Sequence, residues 1–127
     1  MRLIFKDFPL PAHDLARPAH EAARCAAAAG QYWAYHDRLF AEQPGFERSK
    51  LIRYAVELGL DAQAFTRCLD TPEIKQAVEA DLRQARALRI SETPSFLING
   101  GLLVGAHPIE AFRAAIDDAL RRVGGKK

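Results

Sequence analysis

Apolar residues along most of this chain recur at the three- and four-residue spacing of a helix face, and in two stretches the period shortens to that of a strand. Leu3-Ile4-Phe5 is the first strand-like stretch, carried through Lys6-Asp7-Phe8 into a turn at Pro9 and Pro11. An alanine-rich helix is expected over Ala16–Ala29, with Pro18 near its first turn, where a missing N–H costs nothing, and Gly30 as its stop. Tyr32, Trp33, His36, Leu39 and Phe40 make a second helix, which breaks at Pro44-Gly45. Ser49 is placed to cap a third, with Leu51, Ile52, Ala55, Val56 and Leu58 as its apolar stripe and Gly59 at its end. Asp61 caps a short fourth helix through Phe65 and Leu69. Thr71-Pro72-Glu73 starts a fifth, whose buried face is Ile74, Val78, Leu82, Ala85 and Leu88.

The period then shortens again. Ser95-Phe96-Leu97-Ile98 and Leu102-Leu103-Val104 flank Asn99-Gly100-Gly101, and Asn-Gly readily takes the positive φ values that a tight hairpin turn needs. Pro108 opens a last helix capped by His107, with Ile109, Phe112, Ile116, Ala119, Leu120 and Val123 along one face and Gly124-Gly125 at its end. The order is strand, five helices, β-hairpin, helix, without an internal repeat. It predicts an α/β fold in which helices pack on one sheet.

At 127 residues the chain is one domain on length and long enough for a core without disulfide staples. Its net charge of +2 is spread among interleaved acids and bases, apart from Arg121, Arg122, Lys126 and Lys127 near the end. That tail reads as a solvated chain end, so no nucleic-acid partner is expected. No apolar run approaches the ~18 residues of a membrane span, and Arg2 with a short Leu-Ile-Phe run is no signal peptide. As given, the chain reads as cytoplasmic, with no membrane partner; two cysteines are too few to fix a compartment.

No Gly-X-Ser-X-Gly, phosphate-binding loop or dinucleotide fingerprint occurs, and no cofactor is expected. No histidine or cysteine pair has metal-ligand spacing, so no metal is expected either. His20 and Cys25 point about 140° apart on a helix. His36, between Trp33 and Phe40, reads as a boundary histidine with a hydrogen-bond partner. Cys25 and Cys68 lie far apart in the chain, neither at a predicted helix start. They read as two small buried hydrophobes, as a structural disulfide tying the first helix to the fourth, or as reactive thiols.

Several stretches together resemble one family. They are Phe5-Lys6-Asp7-Phe8-Pro9-Leu10-Pro11 with His13, then Glu21-Ala22-Ala23-Arg24-Cys25-Ala26, Trp33, His36-Asp37, Leu39-Phe40 and Cys68-Leu69-Asp70. The most specific is Thr93-Pro94-Ser95-Phe96-Leu97-Ile98-Asn99-Gly100, followed by Leu103-Val104-Gly105-Ala106 and Pro108. In this order they resemble the DsbA-like branch of the thioredoxin superfamily, bacterial thiol–disulfide oxidoreductases with a helical insertion and commonly exported. The resemblance implies a thioredoxin-like fold in one domain over residues 1–127, with the insertion at about 14–90. It also implies that Thr93 and Pro94 form a cis-proline loop, where the backbone before the proline pairs with a peptide or protein thiol substrate like an added strand.

Members of that family begin with a further strand, and a Cys-X-X-Cys opens the helix after it; this sequence contains neither. Such a dithiol works because a helix N-terminus stabilises the thiolate and the second cysteine lies within reach. No catalytic residue is therefore assigned. The expectation is an incomplete thioredoxin-like fold, redox-inactive as given: a peptide-binding remnant or a truncated gene product. Two other readings stay open, an active oxidoreductase using Cys25 and Cys68 or a partner's dithiol, and a helical protein-interaction module. A vacant strand position would expose edges whose ladder hydrogen bonds are each worth ~0.5–1.5 kcal/mol. Either residues 2–6 are then expected to move in beside 95–99, or two chains to share a sheet as a homo-oligomer.

Overall fold

The computed structural model describes residues 1–125, so Lys126 and Lys127 of the basic tail lie outside the described residues. Its elements are α1 (Ala16–Ala28), α2 (Tyr32–Ala41), α3 (Arg48–Glu57), α4 (Ala62–Leu69), α5 (Pro72–Ala87), β1 (Ser95–Ile98), β2 (Gly101–Val104) and α6 (Ile109–Gly124). They form two compact units, Met1–Gln84 and Ala85–Lys127.

In the first unit α1 is the hub, packing against α2, α3 and α4. Its inner face is Ala19, Ala22, Ala23, Cys25 and Ala26, side chains so short that neighbouring helices approach closely. Tyr35 and Leu39 of α2, Leu51, Tyr54 and Ala55 of α3, and Phe65 and Leu69 of α4 fill the space around that face. Two of these are buried phenols, and each finds an acceptor: Tyr35 donates to the Leu51 carbonyl at 2.8 Å and Tyr54 to the Gly45 carbonyl at 2.9 Å. Burial, and then the neighbouring Tyr54, push the Tyr35 hydroxyl pKa well up. Gly45 must be glycine, because a Cβ there would lie 2.7 Å from the Glu42 carbonyl oxygen and 3.0 Å from the Tyr54 hydroxyl. A disulfide joins Cys25 of α1 to Cys68 of α4, with the Cα atoms 5.9 Å apart.

The helix ends follow local chemistry. Gly30, at φ 77°, ends α1 in a paired C-terminal turn: its N–H bonds the Ala27 carbonyl and that of Gln31 bonds Ala26. Gly59 and Leu60 repeat this after α3. Asp61 caps α4 by accepting from the Ala64 N–H at 2.8 Å. Ser49, however, does not cap α3. The helix starts at Arg48 after an extended Glu47, which puts Ser49 inside the first turn. The last helix likewise follows an extended Pro108; His107 instead donates from Nε2 to the Val104 carbonyl at 2.6 Å.

Leu3-Ile4-Phe5 is not a strand. The sheet among the described residues contains only β1 and β2, so residues 2–6 have no ladder and do not lie beside 95–98 within it. Strand propensity makes the backbone extended, but a strand exists only where an edge accepts it. Leu3 and Ile4 stay exposed, while the Phe5 ring meets His36 at 4.8 Å and Tyr32 at 6.3 Å.

In the second unit β1 and β2 are antiparallel, with Phe96 opposite Leu103 and Ile98 opposite Gly101. Asn99 and Gly100 form the two-residue turn, at φ 47° and 89°, the geometry that fits the twist of a hairpin. Phe96 meets Phe112 of α6 edge-on at 4.7 Å. No residue from 85 to 125 is buried, and Leu88, expected inside, is exposed, as is Val56 of α3.

Leu51 is 1% exposed and Val56 48%. Urea denaturation is therefore expected to show that Leu51→Ala costs about 2–5 kcal/mol, while Val56→Ala stays within about 0.5 kcal/mol of the parent. Equal losses would mean that the alanine-faced core is not the seat of stability.

Candidate functional site

Thr93 and Pro94 lie in an exposed bend that leads into β1, and the peptide bond between them is cis, as is Gln43–Pro44 in the first unit. The loop is closed from both sides. Ser95 donates from Oγ to the Glu92 carbonyl at 2.6 Å, and the Pro94 carbonyl accepts from the Gly105 N–H at 2.8 Å. Thr93, between these ties, has no hydrogen-bond partner for its N–H or C=O among the described residues. Leu97 and Leu102 stand opposite each other, with Val104 on the same side of the hairpin, and all three are exposed. A free backbone donor and acceptor next to an apolar sheet face is chemistry suited to an extended peptide.

In the first unit the cysteines are bridged to each other, and neither opens a helix. Cys25 is the tenth of thirteen residues in α1, and Cys68 the seventh of eight in α4. Neither sulfur has the free N–H groups of a helix start beside it.

A charged cluster that sequence reading passed over lies at the start of the chain. Asp7 and Asp81 are 4% and 8% exposed, a burial that isolated carboxylates do not tolerate. The Asp7 N–H donates to Asp81 Oδ2 at 2.8 Å, and Arg24 spans both acids, donating from Nε to Asp7 and from a terminal nitrogen to Asp81 at 2.7 Å. His20 Nδ1 meets Asp7 Oδ1 at 2.8 Å, and Lys6 Nζ lies 3.6 Å from Asp81. Burial alone would push the Asp7 carboxyl up. Hydrogen bonds from His20 and Arg24, with the Arg24 charge, outweigh it and hold the pKa below the ordinary 3.8. Arg24 is correspondingly raised, since the bond and charge of Asp7 outweigh its own desolvation. Burial, followed by the Asp7 charge, pushes the Tyr32 hydroxyl pKa up to about 12, so it stays a neutral phenol.

Arg17 with Glu79 at 3.1 Å and Glu21 with Lys75 at 3.4 Å continue the cluster, so a charged stripe of α1 faces α5. The residues involved look like solvated turn and helix positions in the sequence. The one available signal was their helical spacing at 17, 20, 21 and 24. Among the described residues no group of histidines, cysteines and acids could hold a metal ion.

A thioredoxin family model, Thioredoxin_4, matches residues 1–118. A thioredoxin-like oxidoreductase from Silicibacter pomeroyi DSS-3 has a similar structure, with a TM-score of 0.81 and 26% identity over 91% of this chain and 66% of that one. The thiol-disulfide exchange protein alpha-DsbA2 from Wolbachia pipientis also gives 0.81, at 21% identity over 91% and 63%, which speaks for the fold alone. The Na(+)/H(+) antiporter NhaA of Herminiimonas arsenicoxydans is 37% identical over 112 residues, 88% of this chain and 18% of the antiporter. NhaA 3 of Salinispora tropica is 35% identical over 100% of this chain and 20% of its own length. The chain thus spans about a fifth of the curated relatives it matches. Among the described residues no helix is long and apolar enough to cross a membrane.

Because the folded pKa of Asp7 lies below its unfolded value, its stabilisation is complete above about pH 4 and is lost as pH falls through the lower, folded value. Asp7→Ala removes the acceptor of His20 and of Arg24 Nε while Arg24 keeps Asp81, and the expected cost at pH 7 is about 1–3 kcal/mol. Its urea midpoint should also fall less steeply than the parent's between about pH 4 and 2. Parallel acid limbs for the two proteins would remove Asp7 from this role.

Proposed function

We propose that this chain, which belongs to the thioredoxin family, is of the DsbA-like branch and, as given, a peptide-binding, redox-inactive form of a thiol–disulfide oxidoreductase domain. Residues 1–127 are read as one such domain, with the helical insertion at about 14–90. The observation that carries the reading is Thr93, an exposed backbone without a partner, immediately before Pro94 and beside an apolar hairpin face. An extended peptide would pair there as an added strand, with Leu97, Leu102 and Val104 meeting its alternate side chains.

The cysteines support the redox-inactive half. The sequence holds two, without a Cys-X-X-Cys, and each is spent on the other from a position well past its helix start. A thiolate at either position gains nothing from a helix N-terminus. The alternative, exchange through Cys25 and Cys68, loses support for the same reason.

The hairpin face also supports self-association. Leu97, Leu102, Ile109, Leu120 and Val123 are exposed in a unit that buries none of its described residues, and water is a poor neighbour for such a surface. Two copies covering each other's second unit would remove it.

In an insulin-reduction assay with dithiothreitol, the chain should not raise the rate above background. Turnover abolished by Cys25→Ser or Cys68→Ser would restore the enzyme reading. Titration with an extended, cysteine-free apolar peptide should shift the amide resonances of Thr93 and Ser95 before those of α3, and silence at Thr93 would sink the binding claim. Sedimentation at micromolar concentration is expected to give a dimer or larger species; a stable monomer would remove self-association.

A further inference from the structure

The two bridged sulfurs have unlike surroundings. Cys25 is 3% exposed within the alanine face of α1, whereas Cys68 is half-buried near the end of α4. An incoming thiolate therefore reaches Cys68 first. Attack there forms a mixed disulfide on Cys68 and expels Cys25 with the electron pair, as a thiolate. A second thiol of the reductant then frees Cys68 and leaves as the oxidised reductant. The difficulty is the leaving group. The Cys25 thiolate would appear inside an apolar helix face, and the guanidinium of Arg24, next in sequence, is already committed to Asp7 and Asp81.

Detaching α4 is the easier route. At eight residues it is too short to persist alone, and it docks through Phe65 and Leu69. We propose that the Cys25–Cys68 bridge is a gated redox latch, closed to thiols while α4 is docked on α1 and reduced only through detachment of that helix.

The consequence reaches beyond α4. Cys25 and Arg24 are successive residues, so α1 is held to α4 by a covalent bond and to α5 by an ionic one from adjacent positions. Thr71 bonds back to the Cys68 carbonyl with both its N–H and its hydroxyl, at 3.1 and 2.8 Å, and α5 begins at the next residue. Cutting the bridge therefore frees the joint from which α5 carries Asp81 to the Asp7 N–H.

The test uses the full chain, oxidised, with excess dithiothreitol, iodoacetamide trapping and thiol counting by mass, in rising sub-denaturing urea. A gated latch gives a log rate that rises with urea, on a slope shallower than that of global unfolding. Leu69→Ala, which loosens α4, is expected to speed reduction at least about tenfold without urea, and Val56→Ala, at an exposed position of α3, to leave it unchanged. A rate flat in urea means direct attack on the docked bridge, and a slope equal to global unfolding means that α4 never detaches alone; either overturns the proposal. So does a Leu69→Ala rate equal to the parent's, or immediate alkylation of both cysteines without reductant. Should Leu69→Ala fail to fold, the urea series on the unaltered chain decides by itself.

Discussion

The alanine face of α1 is the constraint on which the helical unit is built. Ala22 and Ala26 are wholly shielded, and their short side chains let three helices close on one axis. The space left around so slender a face has to be filled by large partners, and Tyr35 and Tyr54 fill it. Each brings a hydroxyl into the interior that must find an acceptor. The acceptors are the carbonyls of Leu51 and Gly45, and the second fixes the turn after α2 so closely that position 45 has no room for a Cβ. A demand made by small residues on one helix is thus answered by a glycine two elements away.

The opposite side of the same helix shows how a chain segment can be held without secondary structure. Residues 2–6 have no ladder, yet Asp7 directly behind them is among the least exposed polar groups in the molecule. Its N–H and its carboxylate are both used, the first by Asp81 and the second by His20 and Arg24. Burying two carboxylates is costly, and removing one partner leaves the others buried and unpaired. The cluster therefore specifies position more than it adds stability, and it ties the start of the chain to α5.

Legibility followed the range of the interaction. The stops at Gly30 and Gly59, the cap at Asp61 and the turn at Asn99-Gly100 depend on residues a few positions away, and sequence shows them directly. The end of α5 uses the same paired turn as α1, but Arg89 takes the left-handed position at φ 57°, so no glycine announced it. Ser49 is a sound capping residue two positions too late, because the conformation of Glu47 decides where α3 begins. The strand at Leu3-Ile4-Phe5 and the pair of Asp7 with Asp81 needed knowledge of what lies alongside, 74 positions away in the second case. The candidate loop at Thr93-Pro94 was visible through family likeness alone, since its local residues would also suit a proline entering a strand in trans.

The proposed peptide-binding loop and the two sulfurs sit in different parts of this chain. Thr93, Pro94 and the open hairpin face belong to the second unit, and both sulfurs to the first. A cysteine is reactive by virtue of where a helix places it, and positions ten of thirteen and seven of eight offer no dipole and no free N–H groups. The same placement suits a staple, because the two positions lie where α1 and α4 pack against each other. A backbone edge before a proline needs neither thiolate nor helix dipole to bind a peptide; it needs only to be exposed and unpaired. Peptide pairing and disulfide exchange thus have separable physical requirements, an exposed unpaired edge for the first and a thiolate at a helix start for the second.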